Sequence, residues 1–164
     1  MELIVMRHGE AGTRNTINHD YERSLTAEGR VEMEKMAKSL KALKINIDAI
    51  GTSPLKRARE TAEIVAKVLK LTKKMEVWEE LSPEGEMNEL FERLAKVKED
   101  STVLIIGHEP YLSTLVGDLI SNRTGTRIVL KKGGTAKIVI NSLTPKASGE
   151  LRWLLTPRQM KKIS

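Results

Sequence analysis

The sequence contains no cysteine and few aromatic residues, and each absence removes a class of function. Without cysteine, the chain forms no disulfide, no thiolate metal site and no cysteine nucleophile, which fits the cytoplasm. Two Trp, two Tyr and one Phe are too few for a surface that stacks single-stranded nucleic acid. No apolar run approaches the roughly 20 residues needed to span a bilayer, so we expect no membrane segment.

The sequence also shows no signal-peptide pattern and no linker between domains. Residues 1–6 carry no basic leader and no small-residue cleavage site, and are interpreted as a first strand instead of a signal peptide. No repeat, low-complexity stretch or Pro/Gly/Ser linker interrupts the 164 residues. We therefore expect a single domain over residues 1–164, without a large cap domain.

The charge is clearly basic. Lys and Arg total 28 against 22 Asp and Glu, which gives a net charge of +6 and an isoelectric point of about 9.5. Such a charge attracts phosphate compounds, acidic phosphoproteins or nucleic acid. Because the basic residues alternate with acidic ones along predicted helices, an ordinary solvated surface is favoured and a nucleic-acid site is not.

Hydrophobic periodicity predicts strands that alternate with helices. Strands are expected at residues 3–6, 47–51, 75–78 and 102–106, and three more at 127–131, 136–141 and 151–155. Helices are expected after an N-cap at Thr26, from Ser53-Pro54 as cap and first position, over about 87–98, and from Pro110. This order predicts an α/β three-layer sandwich, in which a mostly parallel sheet with an antiparallel edge carries helices on both faces.

Three polar segments directly follow predicted strands. They are Arg7-His8-Gly9, Thr52-Ser53-Pro54 with Arg57 close behind, and Gly107-His108-Glu109. Ligands of parallel sheets bind at the carboxyl ends of the strands, so we expect these segments to meet. Two imidazoles, two guanidinium groups and a helix N-terminus suit a dianionic phosphoryl group.

Phosphoryl transfer needs a nucleophile and donors for the equatorial oxygens. A neutral His can attack phosphorus with one ring nitrogen when the other is held as N–H, while Arg and a second His stabilise the oxygens. Gly9 and Gly107 would allow a close backbone approach or a sharp turn. The sequence has no His-Glu-x-x-His helix and no carboxylate cluster suited to Mg²⁺ or Zn²⁺, so we expect no metal and no cofactor.

These segments resemble the histidine phosphatase superfamily, which shares the phosphoglycerate mutase-like fold. The resemblance implies that His8 is phosphorylated during turnover, and that Arg7, Arg57 and His108, with Gly9 beside them, bind the phosphoryl group. The blocks that carry it are Arg7-His8-Gly9-Glu10, Ser53-Pro54-Leu55-x-Arg57-Ala58 with Glu60-Thr61-Ala62, and Gly107-His108. The short chain, together with Arg23-Ser24-Leu25-Thr26-x-x-Gly29, Leu81-Ser82-Pro83-x-Gly85 and His108-Glu109-Pro110, is similar to the short phosphohistidine phosphatases of phosphorelays.

The pattern does not single out a general acid. Larger members of the family place a Glu in the mid-chain segment, where Glu84 and Glu86 lie here in a different motif. Glu80, Glu109 and Glu10 are further candidates for an acid or for the rim of the pocket. An alkyl ester needs an acid for its poor leaving group, whereas the labile P–N bond of phosphohistidine needs much less help. The unassigned acid therefore favours phosphohistidine.

A metal-independent phosphohistidine phosphatase acting on a phosphorelay-type protein is thus the first interpretation. A phosphatase for a small phosphate ester, and a weakly catalytic phospho-binding regulatory module, remain alternatives. Specificity is expected to lie in the loops at residues 12–23 and 82–87.

Overall fold

The computed structural model describes residues 1–13, 20–121, 126 and 128–163. Strands and helices alternate through most of the chain, as predicted. None of the helices in the described part has the length and apolar character needed to cross a membrane. In chain order the elements are β1 (Glu2–Arg7), α1 (Ala27–Ala42), β2 (Ala49–Thr52), α2 (Lys56–Leu69), β3 (Met75–Val77), α3 (Met87–Ala95), β4 (Thr102–Gly107), α4 (Tyr111–Ile120), β5 (Thr135–Ser142), β6 (Ser148–Leu155) and α5 (Pro157–Met160), with short 3-10 turns at Thr72–Lys74 and Glu79–Leu81.

The six strands form one sheet in the order β3-β2-β4-β1-β5-β6. The first four in this order run parallel, whereas β5 pairs antiparallel with β1 and β6 antiparallel with β5. The predicted antiparallel edge is confirmed. The register places Arg7 opposite Gly107 and Thr52 opposite Ile106, so β1, β4 and β2 end at the same edge.

Helices cover both faces of the sheet, which confirms the three-layer sandwich. Leu3 and Val5 of β1 belong to the core beneath α3 and α4. Ile4 and Met6 belong to the core beneath α1, α2 and α5. Because successive side chains of a strand point to opposite faces, a strand covered on both sides consists of one continuous apolar run.

The helix predicted to begin at Ser53-Pro54 begins later, so that prediction is wrong. The first residue of α2 is Lys56, and Leu55 occupies the N-cap position. The Ser53 hydroxyl accepts a hydrogen bond from the Leu55 N–H at 3.3 Å and contacts His108 Nε2 at 2.8 Å. The hydroxyl therefore braces the turn before the helix and contacts the second histidine.

The strand predicted at 127–131 and the end of the helix predicted over 87–98 also differ from the structure. The strand expected at 127–131 is absent from its described part, residues 128–131, and Arg127 lies outside the described residues. The carbonyl of buried Leu130 instead accepts a hydrogen bond from the Arg7 guanidinium at 2.9 Å. The helix expected to reach Lys98 ends at Ala95, because Val97 N–H bonds back to the Leu94 carbonyl in a tighter turn.

Gly29 of α1 lies against the backbone that follows His8. A Cβ at this position would lie 2.2 Å from the Glu10 carbonyl oxygen. Gly-to-Ala changes in a helix ordinarily stabilise by about 1 kcal/mol. We predict that Gly29→Ala instead lowers the free energy of unfolding in urea by about 1–3 kcal/mol, because the Glu10 backbone must move.

Glu34→Ala, at an exposed position of the same helix, is the control and should change that free energy by less than about 0.5 kcal/mol. A Gly29→Ala protein as stable as the parent would contradict the prediction.

Candidate active site

Backbone hydrogen bonds past the strand ends bring the three motifs together. His8 N–H donates to the Gly107 carbonyl at 3.1 Å, and Ser53 N–H donates to the Ile106 carbonyl at 3.0 Å. The rings of His8 and His108 consequently lie with their centroids 4.9 Å apart. Arg57, in the first turn of α2, contacts the His8 ring of this pair.

The protonation state of His8 follows from its two ring contacts. Nδ1 lies 2.7 Å from the Gly9 carbonyl oxygen, which can only accept, so Nδ1 carries the proton. Nε2 then bears a lone pair, to which Arg57 Nε donates at 3.2 Å. Burial is the main cause that lowers the pKa of His8 to about 4; the hydrogen bond to Gly9 opposes it, and the charges of Arg57 and Arg7 reinforce it. The ring is therefore neutral at neutral pH, with its lone pair on Nε2.

His108 is also neutral. Burial, followed by the neighbouring His8 and Arg57, lowers the pKa of His108 to about 2. Nε2 contacts the fully buried Ser53 hydroxyl at 2.8 Å. That oxygen already accepts from Leu55 N–H, and we infer that it donates its own proton to Nε2. In that arrangement the ring proton of His108 is on Nδ1, which is buried and has no hydrogen-bond partner among the described residues, so an N–H donor remains unused beside His8.

The guanidinium of Arg57 is bound to an acidic residue that the sequence did not single out. Its Nη1 donates to the Asp20 carbonyl at 2.8 Å, and its Nη2 donates to Asp20 Oδ2 at 3.1 Å. Asp20 also forms an ion pair with Arg23 at 3.2 Å. Asp20 follows a segment without hydrophobic periodicity, so no sequence signal marked it. The buried guanidinium of Arg57 thus already binds one carboxylate.

Arg7 is fixed at one end only. Its Nη1 donates to the Leu130 carbonyl at 2.9 Å, while its Nε is buried and has no hydrogen-bond partner among the described residues. Arg7 also contributes to the lowered pKa of His8, which places its charge close to that ring.

Thr61 links the end of β1 to α2. Its hydroxyl accepts from Gly9 N–H at 3.2 Å and donates to the Arg57 carbonyl at 2.8 Å. A Cβ at Gly9 would lie 2.6 Å from Met33 Cγ, so Gly9 allows α1 to pack closely against this turn. The two residues together set the position of His8 relative to Arg57.

The candidate acids lie in different surroundings. Glu10 pairs with Lys132 at 2.6 Å, and Glu84 and Glu86 are exposed before α3. Glu109 accepts a hydrogen bond from Ser113, and its other carboxylate oxygen is buried without a partner in the part of the chain that the structure describes. Glu80, named as a weaker candidate, pairs with Arg93 at 2.9 Å. In the part of the chain that the structure describes, none of these carboxylates is hydrogen-bonded to His8 or His108.

The two loops expected to set specificity are described to different extents. Residues 82–87 are described in full, whereas residues 14–19 of the first loop lie outside the described residues. Within residues 1–13, 20–121, 126 and 128–163, no three His, Asp or Glu side chains are grouped so as to hold a metal ion.

Comparison with known proteins agrees with this geometry. The family model of the histidine phosphatase superfamily, branch 1, matches residues 3–88, which include His8 and Arg57. The phosphohistidine phosphatase SixA of Escherichia coli K12 is 31% identical over 163 residues, which cover 98% of this chain and 97% of that protein. The SixA homolog of Haemophilus influenzae is 33% identical over 132 residues, which cover 75% of this chain and 79% of that one.

A solved structure extends the match to the whole fold. The structure of the protein histidine phosphatase SixA complexed with tungstate has a TM-score of 0.84 and 29% sequence identity, and the alignment covers 96% of this chain and 98% of that one. The fold is therefore phosphoglycerate mutase-like, and the chain belongs to branch 1 of the histidine phosphatase superfamily.

Proposed function

We propose that this protein is a cytoplasmic, metal-independent phosphohistidine phosphatase that acts on a phosphorelay-type protein through a phosphorylated His8. The observation that carries the proposal is the state of His8: a buried, neutral ring whose Nδ1–H is held by Gly9 and whose Nε2 lone pair lies beside Arg57. The named activity of the SixA relatives supports the same substrate class.

In the first step, Nε2 of His8 attacks the phosphorus of the substrate. A new P–N bond forms as the substrate's P–N bond breaks, and the substrate imidazole leaves with a proton from solvent. The Nδ1–H bond to the Gly9 carbonyl stabilises the positive charge that develops on the His8 ring.

The surrounding donors stabilise the phosphoryl oxygens. Arg57 Nε, which donates to His8 Nε2 in the free enzyme, transfers its hydrogen bond to an equatorial oxygen. Arg7 Nε and His108 Nδ1 are buried without partners, and an equatorial oxygen supplies the acceptor that each lacks. In the second step, water attacks phospho-His8, the P–N bond breaks, its electron pair returns to Nε2, and inorganic phosphate leaves.

One observation favours a second candidate, a phosphatase for a small phosphate ester. Such an enzyme needs a general acid, and Glu109, next to His108, has a buried carboxylate oxygen without a partner. If esters are hydrolysed faster than phosphohistidine, Glu109→Gln should lower the rate of ester hydrolysis by about a hundredfold.

The proposed function is tested by comparing substrates with a chelator present. A phosphohistidine protein should be hydrolysed with a kcat/KM about a hundredfold or more above that of 3-phosphoglycerate, because its leaving group needs little protonation.

His8→Ala should lower kcat by about a thousandfold or more, and rapid quenching should yield an alkali-stable phosphoenzyme from the parent but not from this variant. Faster turnover of the ester, or loss of activity with the chelator, would contradict the proposal.

The lowered pKa of His8 predicts activity in mild acid. At pH 5, an imidazole with the ordinary pKa of about 6.5 is only about 3% unprotonated, whereas one with a pKa of about 4 is about 90% unprotonated. The rate of single-turnover phosphorylation of His8 by phosphoramidate should therefore change by less than about twofold between pH 7 and pH 5. A phosphorus NMR titration of phosphoramidate alone corrects the rate for the ionisation of phosphoramidate itself. A fall in rate of about twenty-five-fold, as expected for an ordinary imidazole, would contradict the prediction.

The lowered pKa of His8 also makes the free energy of unfolding depend on pH. Because the folded-state pKa lies below the unfolded one, the unfolded chain binds the proton first. The free energy of unfolding should then fall as the pH drops from about 6.5 to about 4.

The contact between Ser53 and His108 predicts a selective loss of kcat. In Ser53→Ala, nothing fixes the ring proton on Nδ1, so kcat should fall by about tenfold to a hundredfold. Nitrogen NMR of the His108 ring should show the Nδ1–H tautomer in the parent and in Ser53→Thr, but a shift towards Nε2–H in Ser53→Ala. An unchanged tautomer in Ser53→Ala would contradict this role.

A further inference from the structure

A basic groove with a volume of about 680 Å³ opens beside the candidate active site. Arg7, the residue before His8, lines the groove. Its hydrogen bond to the Leu130 carbonyl connects it to the segment that continues into Lys131 and Lys132. The charged side chains that line the groove are Arg7, Lys131, Lys132, Arg158, Lys161 and Glu32.

The walls of this basic groove are held in place from several sides. Helix α5 is anchored to α1 by the hydrogen bond from Ser39 Oγ to the Met160 carbonyl at 2.7 Å. Gly133 N–H donates to the carbonyls of Arg7 and His8 at 3.1 and 3.3 Å, which fixes the loop before β5 to the end of β1. The groove is therefore a feature of the packed fold.

The positive charges of the groove are only partly compensated. Lys161 pairs with Glu32 at 2.5 Å and Lys132 with Glu10 at 2.6 Å, and both pairs are partly exposed, so each contributes little stability. Lys131 and Arg158 are exposed and form no ion pair with any described residue. The groove has five cations. Glu32, which lines it, and Glu10, which pairs with Lys132, compensate two of them, so an excess of three positive charges remains.

The phosphoryl group alone does not account for such a groove, because Arg7 is the one groove cation among the donors assigned to that group, and the other four are not. The groove instead offers a second contact for an anionic surface presented beside the phosphorylated residue. No aromatic side chain lines the groove, so it offers no stacking platform for nucleic acid bases.

We propose that the basic groove binds an acidic surface of the histidine-phosphorylated protein substrate, carboxylates of which engage Lys131 and Arg158 while the phosphohistidine reaches His8. This inference rests on the proposed function. The groove then acts on encounter and affinity, because complementary charge steers association and fixes orientation.

The test compares Lys131→Glu/Arg158→Glu with a control of equal charge change, Lys67→Glu/Lys98→Glu. Both control lysines are exposed, one at the end of α2 and one before β4, at the opposite edge of the sheet. The substrates are an acidic histidine-phosphotransfer domain phosphorylated with phosphoramidate, and phosphoramidate itself. We expect the groove variant to lose about tenfold or more in kcat/KM on the phosphodomain, mainly through KM, and less than about twofold on phosphoramidate.

The loss should shrink as salt is raised, and the control variant should behave like the parent on both substrates. Equal losses on both substrates, or the same loss in the control, would overturn the proposal. If the parent hydrolyses neither substrate, the proposed function fails. The groove proposal is then tested by comparing the affinities of the parent and of the groove variant for the phosphodomain. Binding of the phosphodomain that is unaffected by the groove substitutions, while binding of a DNA duplex is lost, would assign the groove to another partner.

Discussion

The parallel pairing of β1 with β4 and of β4 with β2 is the constraint on which the site depends. It ends three strands at one edge, where His8 and Ser53 each form one more backbone hydrogen bond, to Gly107 and Ile106. A slip by one residue would exchange the β1 or β4 side chains between the two cores and would disrupt the close packing of both. The positions of the two histidines are thus set by the same packing that forms the hydrophobic cores.

Burial then determines the chemistry of these histidines. An imidazole out of water and beside guanidinium groups cannot hold a proton easily, which keeps the rings of both His8 and His108 neutral. In each ring, one nitrogen has a fixed partner: the Gly9 carbonyl contacts Nδ1 of His8, and the Ser53 hydroxyl contacts Nε2 of His108. From these contacts we infer that the ring proton is on Nδ1 in both histidines. The buried nitrogens of Arg7 and His108 that lack partners are the ones to which a phosphoryl group would bring an acceptor.

The proposed substrate and the proposed groove assign the chemical step and the selection of the protein substrate to different residues. A labile P–N bond asks little of a general acid, which agrees with candidate carboxylates that are ion-paired, exposed or bonded elsewhere in the described structure. Discrimination among phosphorylated proteins must then come from contacts outside the phosphoryl pocket. In the proposed complex, Lys131 and Arg158 would supply such contacts through charge.

The sequence by itself determined the α/β class, most strands and helices, and the placement of His8 and His108 at strand ends, because continuous apolar runs and helical stripes are local signals. Only the tertiary structure decided that Ser53 contacts His108 instead of capping α2, that Asp20 binds Arg57, and that Leu130 accepts from Arg7 instead of joining a strand. The groove likewise combines residues from both ends of the chain. Partners far apart in sequence leave no periodic signal, since the fold that joins them is formed by the cores and not by the polar residues themselves.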